Sequence, residues 1–246
     1  MFTIVLATQK GGSGKSTLAI GLAIAAMQDG QTVRLIETDA QGTLSNWNRR
    51  RAHAEPRVEP VVGADDIEQR LEIFDRNGVT LTIIDTAGGV SATTTSAIRH
   101  ADLVLIPARP SPADIEATAP TLSTVRAWRK PFAFVLNQTP IRGQRLGNAA
   151  ATLGDEAALD LCDVLAQPYI VMRNDHQDAL GAGLAVSEYA PTSKSAAEIR
   201  DLWRWVENKL TAGAIAHEQP VDLHVVPDVR PTLYALAPME PIAIVG

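Results

Sequence analysis

Phe2-Thr3-Ile4-Val5-Leu6-Ala7-Thr8-Gln9-Lys10-Gly11-Gly12-Ser13-Gly14-Lys15-Ser16-Thr17 is the stretch that decides how the remaining sequence is read. Phe2 to Ala7 is a short apolar run that ends in a glycine-rich turn. Leu18 to Gln28 follows with helix formers until Gly30 stops them. The order is strand, loop, helix. A triphosphate carries about four negative charges, and a loop holds it by aiming backbone N–H groups and a cation at it with no side chains in the way. Gly11, Gly12 and Gly14 remove the obstructing Cβ atoms, and Ser13 and Thr17 complete the loop. Lys15 offers a point charge to the β- and γ-phosphates and Ser16 a hydroxyl to Mg²⁺. The helix that starts near Lys15 turns its positive end toward the phosphates. The alternative, a chance glycine-rich turn, does not account for a strand directly before the loop and a helix directly after it.

Composition sets the outer bounds. A chain of 246 residues holds one large α/β domain with a substantial core, or one domain and an appendage. With 46% hydrophobic and 20% charged residues it falls among ordinary globular proteins rather than disordered or fibrous ones. The net charge of -6 rules out a surface that is basic all round, so any contact with nucleic acid requires a local patch. Cys162 is the one cysteine, too few for an internal disulfide or a thiolate cluster, which fits a reducing cytoplasm. No apolar stretch is long enough to span a membrane; the longest, Leu18 to Met27, falls well short.

Further strands are expected at Thr32 to Ile36, Leu81 to Ile84 closing on Asp85, Leu103 to Ile106, Phe132 to Leu136 and Pro168 to Met172. Helix-length segments lie between them: Ala64 to Asn77, Ala92 to His100, Pro112 to Arg129 and Arg142 to Leu153. Near-continuously apolar strands alternating with helices imply an α/β fold, a mostly parallel twisted sheet covered on both faces. Ser193 to Leu210 reads as an amphipathic helix with Ile199, Leu202, Trp203, Val206 and Leu210 on one stripe and Gly213 as its stop. Residues 1–210 are therefore expected as the domain and 211–246 as a proline-rich extension, with Val221 to Val245 packed on the sheet edge or on a neighbouring subunit.

The loop departs from the ordinary phosphate loop at one position. Five residues before Gly14, where a glycine is usual, stands Gln9, and Lys10 adds a second lysine. In this it closely resembles the deviant Walker A box of the ParA/MinD family of ATPases, and most of all the small plasmid-type ParA proteins. The resemblance extends over about 1–210 and includes Gly183 to Tyr189. It implies a P-loop NTPase fold with ATP and Mg²⁺ as cofactors. It also implies that Lys10 reaches across a dimer interface to the partner's nucleotide, in the manner of an arginine finger supplied in trans. Read without the resemblance, Lys10 is a solvated loop lysine.

Glu37-Thr38-Asp39-Ala40-Gln41-Gly42 is similar to the family's Asp-x-Asp-Pro-Gln-Gly segment, which makes Asp39 the residue that positions the attacking water. A helix N-cap is its alternative role. Glu37 in place of Asp and Ala40 in place of Pro are departures, and Glu37 could still touch the metal shell through water. Asp85-Thr86-Ala87-Gly88-Gly89 resembles the Walker B end and switch segment. The resemblance implies that Asp85 binds Mg²⁺ through water or binds the Ser16 hydroxyl, and that Gly88 would permit a backbone N–H to approach the γ-phosphate. Asn137 matches the position that reads adenine. With Lys10, Lys15 and Asp39 as the catalytic set, the resemblance implies an ATP-dependent homodimer that binds DNA non-specifically and answers to a centromere-binding or cargo adaptor protein.

One cysteine excludes the iron–sulfur branch of the family. A proline-broken tail with Arg230 as its only arginine or lysine disfavours the membrane-cycling branch, so no stable membrane association is expected. Candidate DNA contacts are Arg49-Arg50-Arg51, Arg142 with Arg145, and the Arg200/Arg204 face. A cytoplasmic, nucleoid-associated ATPase that segregates plasmid or chromosomal DNA is the expectation. Its rivals are the same switch moving a protein cargo, a metabolic ligase or kinase on the same loop, and a non-hydrolysing interaction protein.

Overall fold

The computed structural model describes residues 1–141, 144–157 and 161–218. In chain order its elements are β1 Phe2–Leu6, α1 Lys15–Gln28, β2 Val33–Glu37, α2 Thr43–Arg50, β3 Arg57–Pro60, α3 Ala64–Arg76, β4 Leu81–Asp85 and α4 Ala92–Arg99. Then come β5 Leu103–Ala108, α5 Pro112–Glu116, α6 Ala119–Ala127, β6 Phe132–Leu136, α7 Gln144–Ala157, α8 Leu161–Val164, α9 Asp175–Gly181, α10 Val186–Tyr189 and α11 Lys194–Glu218. The strands form one sheet in the order β3-β2-β4-β1-β5-β6, and every pairing is parallel. Since all strands run the same way, the segments after β1, β2, β4 and β6 emerge on one edge, where open α/β sheets take their ligands.

Side-chain alternation divides the core in two. Ile4, Leu6, Leu35, Ile83 and Leu105 face α1, α2 and α11, whereas Val5, Ile36, Ile84, Val104 and Ile106 face α3, α4, α6 and α7. The expected stripe of α11 is fully realised: Ile199, Leu202, Trp203, Val206 and Leu210 are all buried. Each aliphatic side chain so buried contributes about 1.5–3 kcal/mol. α1 and α11 cross closely at Gly21, where an added Cβ would lie 3.1 Å from Ile199 Cγ2. Trp205, off that stripe, is half-buried against the same core, with Lys209 Nζ 5.4 Å from its ring centre.

Four expectations need correction. The edge strand β3 is absent from the sequence reading because Arg57-Val58-Glu59-Pro60 is polar and ends in proline, a composition that only an edge tolerates. Pro112 to Arg129 is two helices rather than one, since Pro120 cannot donate to the carbonyl four residues back and Thr118 Oγ1 instead bonds Ile115 O at 2.7 Å. Pro168 to Met172 is no strand: Ile170 N donates to Leu136 O at the end of β6, and beyond it the segment forms only the isolated bridge Thr139↔Val171. α11 passes through Gly213 to Glu218, because one glycine costs only about 1 kcal/mol and Ala212, Ala214 and Ala216 flank it. The boundary expected at residue 210 therefore lies inside a helix. The packing expected of Val221 to Val245 falls outside the described residues.

Candidate functional site

The loop between β1 and α1 turns on two of its glycines. Gly12 and Gly14 adopt φ of 75° and 91°, a left-handed conformation that L side chains rarely take. Gly14 is also the N-cap of α1, and a Cβ there would stand 2.2 Å from Asn137 Nδ2. Lys15 is 7% exposed, and burial pushes its ammonium below the ordinary lysine range against the pull of Asp85 and Asp39.

Ser16 Oγ donates to Asp85 Oδ2 at 2.6 Å, so the hydroxyl and carboxylate expected to share a metal shell are in contact. Asp85 Oδ1 is buried without a partner. Burial raises the Asp85 carboxyl to about 7 despite the Ser16 hydrogen bond and Lys15, with Glu37 and Asp39 adding to the rise. The site is thus short of positive charge, and its orphaned oxygen lies where a divalent cation would be useful. Among the described residues no group of three or more His, Cys, Asp or Glu could hold a metal alone. A Mg²⁺ ion takes one or two protein ligands and completes its shell with water and phosphates. Ser16 and Asp85 are the residues that would hold it, and the glycine cradle fits a triphosphate.

The acidic pair at the end of β2 divides its work differently from expectation. Glu37, 2% exposed, accepts from Leu44 N at 2.6 Å, from Ser45 N at 3.1 Å and from the Ser45 hydroxyl. It therefore anchors the first turn of α2, satisfying N–H groups that helix starts leave free, instead of reaching into a metal shell. Asp39 is not that cap. Its Oδ1 accepts from Gln41 N at 2.9 Å in a local turn, and the carboxylate stays partly exposed at the site's rim.

Gly88 lies against the loop, where an added Cβ would stand 3.2 Å from Gln9 O. Asn137 donates to Ser13 O at 2.8 Å and accepts from Gln138 N at 2.9 Å, so its amide braces the phosphate loop. Sequence reading missed Gln138, which sits at φ 52° and donates from Nε2 to Gly12 O at 3.0 Å. Position directly after Asn137 was its only signal. Beside them a cavity of about 100 Å³ lies between Thr17, Asn137, Met172 and His176. The two-pronged Arg173–Glu198 pair, at 2.7 and 2.8 Å, ties this wall to α11.

Lys10 Nζ lies 2.9 Å from Asp114 Oδ2 of the same chain. The Arg49-Arg50-Arg51 cluster is largely engaged in internal contacts. Arg51 grips Glu188 with both nitrogens at 2.8 and 2.7 Å and lies over Trp47; Arg50 donates to Leu180 O; Arg49 pairs with Asn46. Arg204 pairs with Asp201, and Arg142 lies outside the described residues. A cavity of about 730 Å³ opens at the opposite edge of the sheet between Phe2, Trp128 and Leu210 and contains none of the motif residues. No helix of the described residues is long and apolar enough to cross a membrane.

The family model of the VirC1 protein matches residues 1–172. The chain is 28% identical to maintenance of carboxysome distribution protein A of Halothiobacillus neapolitanus over 205 residues, 80% of this chain and 92% of that protein. Protein virC1 and protein ParA of Rhizobium radiobacter are 34% and 32% identical over 123 and 130 residues, and the chain spans about half the length of each, 52% and 56%. Among solved structures, the cell division ATPase MinD of Pyrococcus furiosus superposes with a TM-score of 0.67 at 17% identity, covering 84% of this chain and 98% of MinD. The chain belongs to the VirC1 family, and its fold is that of the ParA/MinD-type P-loop ATPases.

Proposed function

We propose that this chain is a nucleotide-driven switch. It binds ATP and Mg²⁺ in the Gly11–Thr17 cradle, closes with a second copy into a two-fold sandwich, and hydrolyses ATP slowly until a partner protein accelerates the step. The observation that carries this reading is the contact between Ser16 and Asp85 beside a buried Lys15, with the second Asp85 oxygen buried and without a hydrogen-bond partner. Lys15 neutralises phosphate charge, Asp39 orients water at the rim, and Lys10 serves the opposite nucleotide. The bound metal would neutralise charge that develops on the terminal phosphate.

Four of the exposed apolar side chains support the closure. Val62, Val90, Ile141 and Met172 are 91, 48, 75 and 70% exposed, and all follow the carboxyl ends of strands or bridge residues on the nucleotide edge. A second copy seated there would bury them together with the phosphates.

The cargo we assign is plasmid or chromosomal DNA, held non-specifically by the dimer in the nucleoid and released after adaptor-stimulated hydrolysis. A protein cargo is the second reading, favoured by the relative matched over 92% of its length, a carboxysome distribution protein. Gel retardation of non-specific DNA separates these readings. ATP with the wild type and with Asp39→Ala is expected to retain DNA, while ADP or Lys15→Ala is not. Equal retention in ADP and ATP contradicts the switch. No retention in either, alongside an intact ATP dimer, favours the protein cargo.

A further inference from the structure

Asp114 lies in the first turn of α5, just beyond the end of β5, and β5 pairs directly with β1 through Leu6↔Leu105. That adjacency brings its carboxylate to the side chain of Lys10, 104 positions away in sequence. The carboxylate is 3% exposed and saturated with donors. Oδ1 accepts from Arg109 Nε at 2.9 Å; Oδ2 accepts from Lys10 Nζ at 2.9 Å and from the Ser111 hydroxyl. Burial alone would raise the Asp114 carboxyl, but the hydrogen bonds from Ser111, Lys10 and Arg109 outweigh it and hold the group below the usual carboxylate range. It is ionised near neutral pH.

We propose that Asp114 is the resting dock of Lys10, holding it within its own subunit until the terminal phosphate of a partner's ATP outcompetes the carboxylate. This rests on the reading that Lys10 acts in trans. The competition is electrostatic, so its outcome depends on how much charge arrives and how near. Asp114 presents one negative charge already shared with Arg109 and Ser111. ATP carries about one more negative charge than ADP, on a phosphate that ADP lacks. Lys10 therefore transfers for ATP and stays docked for ADP. Release is cheap for the carboxylate, because Arg109 and Ser111 still satisfy both oxygens and no buried charge is orphaned. The contact makes dimer closure selective for ATP.

Two substitutions in the full chain push the dock in opposite directions. Asp114→Asn keeps the shape and an acceptor but removes the charge. The nucleotide titration of dimer mass by light scattering is then expected to shift to ATP concentrations at least about threefold lower, with dimer appearing in ADP. Arg109→Gln strips a competing cation from the carboxylate, tightens its hold on Lys10 and shifts the same titration to higher ATP. Melting curves check that both variants are folded, and should one fail to fold, the direction of the other decides. Shifts of the same sign, or none, while Lys10→Ala still changes closure or turnover, overturn the dock alone. A Lys10→Ala chain that closes and turns over like wild type overturns the trans reading and the dock with it.

Discussion

Glu37 and Asp85 face each other across neighbouring strands, Glu37↔Asp85 in register, and differ in what they hold. Glu37 is committed to α2, so Glu37→Ala leaves Leu44 N and Ser45 N without an acceptor and is expected to cost about 1–3 kcal/mol, read as a lower melting temperature. Mg²⁺-dependent nucleotide affinity should change far less, and a loss of metal dependence without destabilisation would return Glu37 to the metal shell. Asp85 carries the pH dependence. Its carboxyl sits at about 7, above the ordinary value of 3.8, so in the nucleotide-free chain this group stabilises fully below its unfolded value and loses that contribution as pH rises through 7. Mg²⁺ needs the ionised form. Magnesium–ATP affinity is therefore expected to rise between pH 6 and 8, about tenfold per unit well below 7 and levelling above it, with proton uptake or release measured by calorimetry in two buffers. A flat profile would mean that Asp85 is already ionised without the metal. Neither behaviour is visible in the sequence, because Glu37 looks like a conservative stand-in for Asp until its partners seven and eight residues onward are seen.

At the scale of elements, α2 is fastened to α9 and α10 by long-range contacts from its last turn and from Arg51 just beyond it. Trp47 Nε1 donates to Leu184 O at 3.1 Å and Arg51 grips Glu188, while Gly183, at φ 72°, lets Arg50 approach so closely that a Cβ would lie 2.5 Å from its carbonyl carbon. Arg51 is 3% exposed, so Arg51→Ala leaves Glu188 half-buried and unpaired. The expected cost is about 3 kcal/mol in urea unfolding, with nucleotide binding retained. A cost below about 1 kcal/mol would restore Arg51 as a candidate surface cation. The Glu188 carboxyl is lowered by Arg51 and by the Ala185 N–H against the opposing effect of burial. This pair's contribution is present above the ordinary glutamate range and is lost as pH falls through the folded value. The strands that cross the centre of the sheet were legible because burial on both faces makes them near-continuously apolar. β3 was not, since an edge strand needs no such run, and the break between α5 and α6 turned on one missing N–H at Pro120.

Over the whole molecule, one parallel sheet delivers Lys15, Asp39, Asp85 and Asn137 to a common edge, and the loop read from the first residues locates that edge without any tertiary information. What the sequence could not show is which long-range partners the side chains of this edge take. Lys10 rests on Asp114, and Asn137 braces Ser13. The exposed apolar residues on the same edge make the single chain incomplete for the role proposed. Molar mass by light scattering tests this most directly, in Mg²⁺ with a non-hydrolysable ATP analogue and with ADP. The chain of 26.3 kDa is expected to double its mass with the analogue and remain single with ADP, and Lys15→Ala should stay single in both. A mass that ignores the identity of the nucleotide would contradict the switch.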